Sequence, residues 1–443
     1  MPREKPMTKE TKAIEPRDDM RLDSFCILPW ISQYVATTGK IAPCCEYDAD
    51  FGNIADVTLE EVWKGKETQE LRRKFLAGEK AQACWKCFDR DKNEGDSQRQ
   101  INNALFSDWV DRIAGHQLQP DSGPQYPATL DLRFSNLCNF KCRSCWHGSS
   151  SKWFVDGKAI RVTAGDTAEI RSFDKTEDIA AHLLPYIAGL EDIYFAGGEP
   201  LMMAEHYTLL NLLIEHKRTD VRLRYTTNMS LTHFRGQSIY DLWQKFDNIR
   251  VEASVDASGA RGAIIRNGFD WETFVENIVG LRSQCPHVEL HFGMTISAFN
   301  ILELPQLMED LRDKCAARPA EFHTHSLQEP GFLRSQILPP KLKKRASANI
   351  NDYIDRLTEA GDMNAQDLEI MREKLDGIKA YMNTQDLQQH IGRFKARVEK
   401  LDSLRAENSQ ETFPELREIW TYKSHFWSKG SKFMRLFGQR KPA

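Results

Sequence analysis

No stretch of this chain is long and apolar enough to span a membrane, and Met1 to Asp19 are polar and charged with no apolar segment of the export type. The sequence is therefore read as cytoplasmic. Neither sign of charge is in excess: 60 Lys and Arg stand against 64 Asp and Glu, a net charge of −4, so there is no global attraction toward nucleic acid, which is not expected as a partner. Internal repeats and low-complexity tracts are missing too, and no repeat architecture is indicated.

What remains is ordinary in bulk and unusual in detail. With 443 residues, 41% hydrophobic and 28% charged, the chain is long enough for two or three globular domains with a sizeable core. Its ten cysteines are grouped: Cys26, Cys44-Cys45, Cys84-x2-Cys87 and Cys138-x3-Cys142-x2-Cys145, with Cys285 and Cys315 alone. Close spacing without an export signal favours metal over disulfide. The two lone cysteines lie near the ends of amphipathic segments and are read as packing groups.

Along the chain, residues 1–20 read as a disordered leader. A first folded unit, residues 21–118, opens with Phe25-Cys26-Ile27-Leu28-Pro29-Trp30. A turn at Thr38-Gly39-Lys40 predicts a hairpin that brings Cys26 and Cys44 together. A charged helix from Leu59 to Ala77 follows, then Cys84-Trp85-Lys86-Cys87, so that Cys26, Cys44, Cys84 and Cys87 supply four sulfurs for one fully ligated site, zinc or an iron–sulfur cube. Cys45 is a spare that either replaces Cys44 as ligand or simply packs. A helical segment over 94–113 and a Pro/Gly/Ser-rich piece over 119–127 mark a boundary.

Beyond it, over 125–332, strand candidates at 128–135, 191–196, 222–227, 248–256, 287–297 and 320–327 alternate with helix candidates at 175–188, 203–217, 236–246, 271–284 and 303–316. Such alternation implies right-handed βαβ units and a parallel sheet. Six units are too few for a closed eight-stranded barrel, so the expected fold class is α/β, an open partial (β/α)6 barrel with chemistry at the carboxyl ends of its strands. Residues 338–443 change character to a helical C-terminal region, with candidates at 349–360, 364–381 and 385–404. From Tyr422 onward the chain has six basic residues, no acidic ones and several aromatics, a tail read either as a contact for nucleic acid, membrane or partner, or as a solvated terminus.

The most informative stretch is Cys138-Asn139-Phe140-Lys141-Cys142-Arg143-Ser144-Cys145, just past the strand 128–135. Three thiols at this spacing can hold three corners of a four-iron cube and leave one iron open, and a site with an open position binds and activates a ligand. A zinc knuckle built from the same cysteines and His147 is the competing reading of the octapeptide. At the end of the next strand stands Gly197-Gly198-Glu199-Pro200, where two glycines admit close approach to the backbone and Glu199 supplies a carboxylate.

These two motifs together resemble the radical S-adenosylmethionine (SAM) enzymes, whose core is the same partial barrel. The resemblance implies that Cys138, Cys142 and Cys145 hold a [4Fe–4S] cluster, that SAM chelates its open iron, and that Glu199 accepts a hydrogen bond from the bound amine. It further implies cofactor contacts near Asn228 (Thr226-Thr227-Asn228), at Ser254 and Asp256 (Ser254-Val255-Asp256), and at Arg266, which resembles the arginine that pairs with the methionine carboxylate. An aromatic often precedes the last cysteine in this family, and here that place is Ser144, with Trp146 on the other side. The N-terminal unit, with Gly39, Gly52-Asn53, Trp63 and Arg72 among its cysteines, is similar to the twitch domain, the shorter relative of SPASM, which carries an auxiliary [4Fe–4S] cluster. That domain usually follows the barrel, and here it precedes it. A weaker similarity covers Leu401-Asp402-Ser403-Leu404-Arg405 and Phe413-Pro414-Glu415-Leu416.

The resemblance implies reductive cleavage of SAM, hydrogen abstraction from a peptide or a small polar molecule such as a sugar or aminocyclitol, the auxiliary cluster as an electron conduit, and a flavodoxin- or ferredoxin-like reductant. The short polar N-terminus shows no leader-peptide recognition unit, which weighs against ribosomal-peptide maturation. The alternative from another class is a zinc-stabilised protein that binds nucleic acid or a partner.

Overall fold

The computed structural model describes residues 24–93, 97–114, 123–173, 178–361 and 363–422. The leader, residues 423–443 of the basic aromatic tail and residues 119–122 of the linker read at 119–127 lie outside them. The fold is mixed α/β with a mostly parallel sheet and a helical C-terminal region. It divides into two compact units, one built from residues up to 137, 169–225 and 242–249, the other from 138–168, 226–241 and 250 onward.

In the first unit, strands β1 (Ser32–Val35), β2 (Ile41–Ala42), β3 (Thr129–Leu132), β4 (Asp192–Phe195) and β5 (Arg222–Thr227) are hydrogen-bonded in the order β2-β1-β3-β4-β5. β1 and β2 form the expected hairpin, antiparallel with Tyr34 opposite Ala42. Gly39 turns it with φ +80°, and a Cβ there would meet Asn53 Oδ1 at 2.5 Å, so Gly39 and Asn53 are one device. β1 also pairs in parallel with β3, Ser32 opposite Thr129, so the sheet gains two strands from the cysteine-rich region in addition to the alternating ones.

The helix expected over Leu59–Ala77 is two helices, Leu59–Lys64 and Lys66–Leu76. The first begins with a capping box, Thr58 with Glu61. Gly65, extended at φ −66° and ψ 161°, ends it, and a Cβ at that residue would press on the Glu61 carbonyl at 2.9 Å. The segment expected to be helical over 94–113 is likewise divided, into Gln98–Leu105 and Ser107–Ala114.

His206 illustrates how closely the first unit is packed. It is fully buried against Phe195 and Tyr225, with Nε2 2.9 Å from the Tyr225 hydroxyl and Nδ1 without a hydrogen-bond partner. Burial pushes its pKa down to about 3. An unfolded histidine near 6.5 takes up a proton first, so stability falls as the pH drops from 6.5 toward 3, by roughly 3 kcal/mol at pH 4. His206→Gln, which keeps a polar group but does not titrate in this range, is expected to flatten that part of the acid limb in equilibrium denaturation measured from pH 7 to 4. An unchanged slope would refute the assignment.

In the second unit β6 (Ile249–Ser254), β7 (Glu289–Ile296) and β8 (Phe322–Ser326) run in parallel, with Arg250 opposite Glu289 and Phe292 opposite Phe322. β6 alternates strictly: Ile249, Val251 and Ala253 are buried, while Arg250, Glu252 and Ser254 occupy the other, polar face. The C-terminal helices are Pro340–Ala360, Ala365–Thr384 and Ile391–Arg405. The first starts nine residues earlier than the expected 349, because Pro340 at its first turn is already set for a helix. Among the described residues no helix is long and apolar enough to cross a membrane.

Candidate functional site

The three-cysteine loop belongs to the second unit and is held by a short backbone ladder and by side chains that reach it from neighbouring segments. Lys141–Cys142 pairs antiparallel with Arg266–Asn267, Cys142 opposite Arg266. The Trp153 indole donates to the Cys142 carbonyl at 2.9 Å, the Ser150 hydroxyl to the Phe140 carbonyl at 2.6 Å, and the Phe140 amide to Cys138 Sγ at 3.4 Å. Gly268, at φ +106°, lies so close that a Cβ would meet the Asn139 carbonyl at 2.9 Å. Asn228 donates to Asn139 Oδ1 at 2.9 Å and accepts from Ser230, so it is a brace for the loop.

Arg266 ties the loop to another expected site residue, Asp256. Its Nε donates to Asp256 Oδ2 at 2.8 Å, and its Nη1 lies 3.9 Å from Cys142 Sγ. Burial works against its charge, but Asp256, Cys142 and Cys138 hold it protonated, above its ordinary range. Asp256 is itself buried and accepts the Thr295 amide at 2.8 Å. Burial raises the Cys142 thiol and pushes Cys145 up to about 12, with Cys142 adding to Cys145 and Arg266 opposing both shifts. A buried guanidinium thus lies beside Cys142, with Cys138 and Cys145 within its field, and its positive charge favours the thiolate forms.

His147 is not part of that donor set. It is fully buried, with Nε2 3.0 Å from the Ala168 carbonyl and Nδ1 accepting the Ala164 amide at 3.0 Å. Both ring nitrogens are used to fasten residues 164–168, which removes the fourth ligand of the zinc knuckle. Trp146 stays about half exposed and lies over Gly148, where a Cβ would meet its ring at 2.5 Å.

Ser254 shares its strand face with Glu252, and Glu252 is the centre of a polar group that the sequence reading missed. Its carboxylate lies over Gly293, where a Cβ would meet Oε1 at 2.7 Å, and reaches His323 Nδ1 at 3.1 Å and His325 Nε2 at 3.5 Å. Burial opposes its charge, yet the two histidines hold it well below the usual carboxylate range. A glycine inside a strand beside an alternating polar strand was the available signal.

The first unit holds the Gly-Gly-Glu-Pro turn. Gly197 and Gly198 have φ +76° and +54°, and a Cβ on Gly198 would lie 2.3 Å from the Leu137 carbonyl. The Glu199 amide donates to that same carbonyl at 2.8 Å, and Leu137 directly precedes Cys138 in the chain. The Glu199 side chain is buried and caps the short helix Pro200–Met202 through the Leu201 amide at 3.0 Å. Gly198→Ala is expected to lower stability by roughly 1–3 kcal/mol, whereas Gly236→Ala, also at positive φ but with open space around it, carries only the backbone strain. Urea midpoints of the two variants check this, and equal losses would contradict the close-approach argument.

The other cysteine group gathers in the same unit. Cys26 and Cys87 are buried and Cys44 and Cys84 half-buried, around a core of Phe25, Trp30 and Phe75. The Trp85 indole donates to Asp48 at 2.9 Å and the Asp48 amide to Ala83, joining the Cys44 loop to the Cys84 turn. Burial, helped by Cys84 and Cys87, pushes Cys26 up to about 12; burial, helped by Cys45, Cys26 and Cys84, raises Cys44. Cys45 is exposed and lies in the field of Asp131 and Arg133. Arg99, buried and paired to Asp91 at 2.6 Å, donates to the Phe25 carbonyl beside Cys26. Cys285 and Cys315 are buried, as expected of packing residues, and the Cys285 thiol donates to the Tyr240 carbonyl at 3.5 Å. Among the described residues no three His, Cys, Asp or Glu groups stand as a ready single-ion site.

The model of the radical SAM superfamily matches residues 132–311, and that of an iron–sulfur cluster-binding domain, SPASM, matches residues 26–88. Residues 132–311 thus form a radical SAM domain and residues 26–88 an iron–sulfur cluster-binding domain. The auxiliary-cluster domain lies on the N-terminal side of the radical SAM domain, and the cofactors of these two families are [4Fe–4S] clusters and SAM. The GTP 3',8-cyclase of Staphylococcus carnosus (strain TM300) is 32% identical over 128 residues, 28% of this chain and 34% of that protein, so the chain spans about a third of the length of this curated relative. Among solved structures, native anSMEcpe with bound AdoMet is 15% identical with a TM-score of 0.36, covering 53% of this chain and 62% of that one. Streptococcus suis SuiB bound to its precursor peptide SuiA is 17% identical with a TM-score of 0.36, covering 74% and 70%.

Proposed function

We propose that this radical SAM protein abstracts hydrogen from a polar substrate, a peptide or a small sugar- or aminocyclitol-like molecule. Cys138, Cys142 and Cys145 would hold the cluster with the open iron, and Cys26, Cys44, Cys84 and Cys87 the auxiliary one. When bound and reduced, the first cluster supplies the electron that splits SAM into methionine and a 5′-deoxyadenosyl radical. The observation that carries the reading is Arg266, a buried cation set against Cys142 and within the field of Cys138 and Cys145. Held by Asp256, it sets one positive charge beside the thiolate set, and its remaining N–H groups would be available to the cofactor carboxylate. Ser254 is assigned to the cofactor ribose or the substrate, Glu199 with Gly197 and Gly198 to the cofactor amine, and Asn228 to bracing the loop.

The polar face of β6 to β8, with Glu252, His323 and His325, supports a substrate rich in hydrogen-bonding groups. The functional segments would be 21–118 for the auxiliary cluster, 125–332 for the radical SAM domain and 338–443 for the helical region. A flavodoxin- or ferredoxin-like protein in the cytoplasm would be the reductant. Anaerobic reconstitution is expected to give about eight irons per chain and, with dithionite and SAM, to release 5′-deoxyadenosine. Stoichiometric zinc with no cleavage would overturn the proposal.

A further inference from the structure

The segment 401–416, singled out in the sequence but left without a role, ends the helix Ile391–Arg405 and follows it. Two of its carboxylates, Asp402 and Glu407, reach the cysteine loop itself, and Arg405 and Glu415 pair with residues outside that loop. Arg143, between two of the three cysteines, has a side chain only 2% exposed, and its Nη2 donates to both Asp402 and Glu407. Its Nε donates to the Ile264 carbonyl at 3.0 Å and its amide to the Ile265 carbonyl at 2.7 Å. Glu407 turns its other oxygen to Asn267 Nδ2 at 2.6 Å, and Asn267 adjoins Arg266, the residue that reaches Cys142. Arg405, its side chain fully buried, donates to Asp156 at 2.8 Å and lies over the Trp153 ring at 4.8 Å, and Trp153 holds the Cys142 carbonyl. Lys141 shares Asp156 at 3.4 Å. Farther along, Glu415 takes Arg261 in a two-pronged pair at 3.1 Å. Asp402 is fixed in turn by the Ser409 amide and hydroxyl at 2.9 and 2.8 Å.

We infer that segment 402–415 is a strap that positions the cysteine loop, with Asp402 and Glu407 as its positioning residues. Three thiolates on an eight-residue loop can share a cluster only while the loop keeps one shape, and most of that loop has no regular secondary structure to enforce it. Arg143 is where the shape is decided. Its guanidinium is fixed in two directions at once, by the Ile264 carbonyl and by two carboxylates of the strap. A surface ion pair would fix little, because solvent screens it and side-chain entropy opposes it. A buried guanidinium cannot leave its carboxylates without an uncompensated charge, so the loop has one admissible position. The strap touches Asn267 in one strand of the small ladder and Arg143, which adjoins the other, and so controls thiol spacing and guanidinium position together. It rests on the proposed cluster reading only for what the loop holds.

The test uses the full chain with Asp402→Asn and Glu407→Gln together, which removes both charges at nearly constant size. In the metal-free protein, hydrogen–deuterium exchange of peptides covering 138–147 and 261–268 is expected to quicken at least tenfold, while peptides around Cys26 and Cys84 keep wild-type rates. After reconstitution SAM is expected to bind at least tenfold more weakly, and the change it causes in the electron paramagnetic spectrum of the reduced cluster is expected to shrink. Glu407→Asp, which keeps the charge, is expected to restore part of both readouts relative to Glu407→Gln. If the double variant does not fold, Glu407→Gln alone is measured in the same way. Wild-type exchange and SAM affinity in a folded variant would overturn the strap. A wild-type protein that takes up no iron would refute the cluster reading instead, and the exchange comparison on metal-free protein would still decide the strap.

Discussion

Cys142→Ala protein, reconstituted without oxygen, is expected to hold about four irons per chain where the wild type holds about eight, and to form 5′-deoxyadenosine at background level, a loss of at least ~1,000-fold. Cys142 is the most informative of the three cysteines because it touches the most. Its carbonyl is held by Trp153 and accepts the Cys145 amide at 3.0 Å, its backbone pairs with Arg266, and its sulfur faces the Arg266 guanidinium. The backbone contacts survive the substitution, since alanine keeps the same main chain, so the loop is expected to stay folded while one thiolate is lost. A cube with only two protein thiolates at an already incomplete site is not retained, whereas the auxiliary cysteines belong to a different compact unit and keep theirs. Iron and acid-labile sulfide analysis with the visible absorption band reads this directly. Full iron content, or cleavage of SAM at the wild-type rate, would show that Cys142 is not a ligand.

The second large effect separates two neighbouring residues. Cys44→Ala is expected to remove about four irons and leave SAM cleavage measurable, while Cys45→Ala keeps about eight. Cys44 is in the field of Cys26 and Cys84 and packs against the core of Phe25 and Trp30, while the exposed Cys45 lies in the field of Asp131 and Arg133. A fully ligated cube needs four sulfurs around one point, and of this pair it is Cys44 that packs on the core holding Cys26 and Cys84. The measurement is iron content of the two single variants beside wild type, with Mössbauer spectra to assign the cluster lost. The reverse outcome, iron lost from Cys45→Ala alone, would exchange the two roles.

Much of the fold was legible because strand periodicity is local. In β6 the alternation of Ile249, Val251 and Ala253 with Arg250, Glu252 and Ser254 is visible in six consecutive residues, and the structure places them on the two faces so implied. Helix boundaries were less legible. Gly65 divides what reads as one charged helix, because the cost of a glycine in a helix is small enough that sequence pattern alone does not say where one becomes a break.

The site shows the same division more sharply. Asp256 and Arg266 read as separate cofactor contacts, and the structure joins them as one ion pair. His147 reads as a fourth ligand at good spacing, and both of its nitrogens are taken by backbone from residues 164–168. The strap is the extreme case, for Arg143 and Asp402 are 259 positions apart, and no local pattern reports which carboxylate a buried arginine will find.

The spacing of Cys138, Cys142 and Cys145, the Gly-Gly-Glu-Pro turn and the strand–helix alternation were determined by the sequence by itself, because ligand number on a short loop and side-chain period are properties of neighbours along the chain. Which of Cys44 and Cys45 faces the other thiols, what His147 bonds, and how residues 402–415 clamp the cysteine loop were decided only by the tertiary structure. Those outcomes depend on burial and on charges brought together across long sequence separations, where desolvation leaves a polar group no choice but the partner that the fold presents.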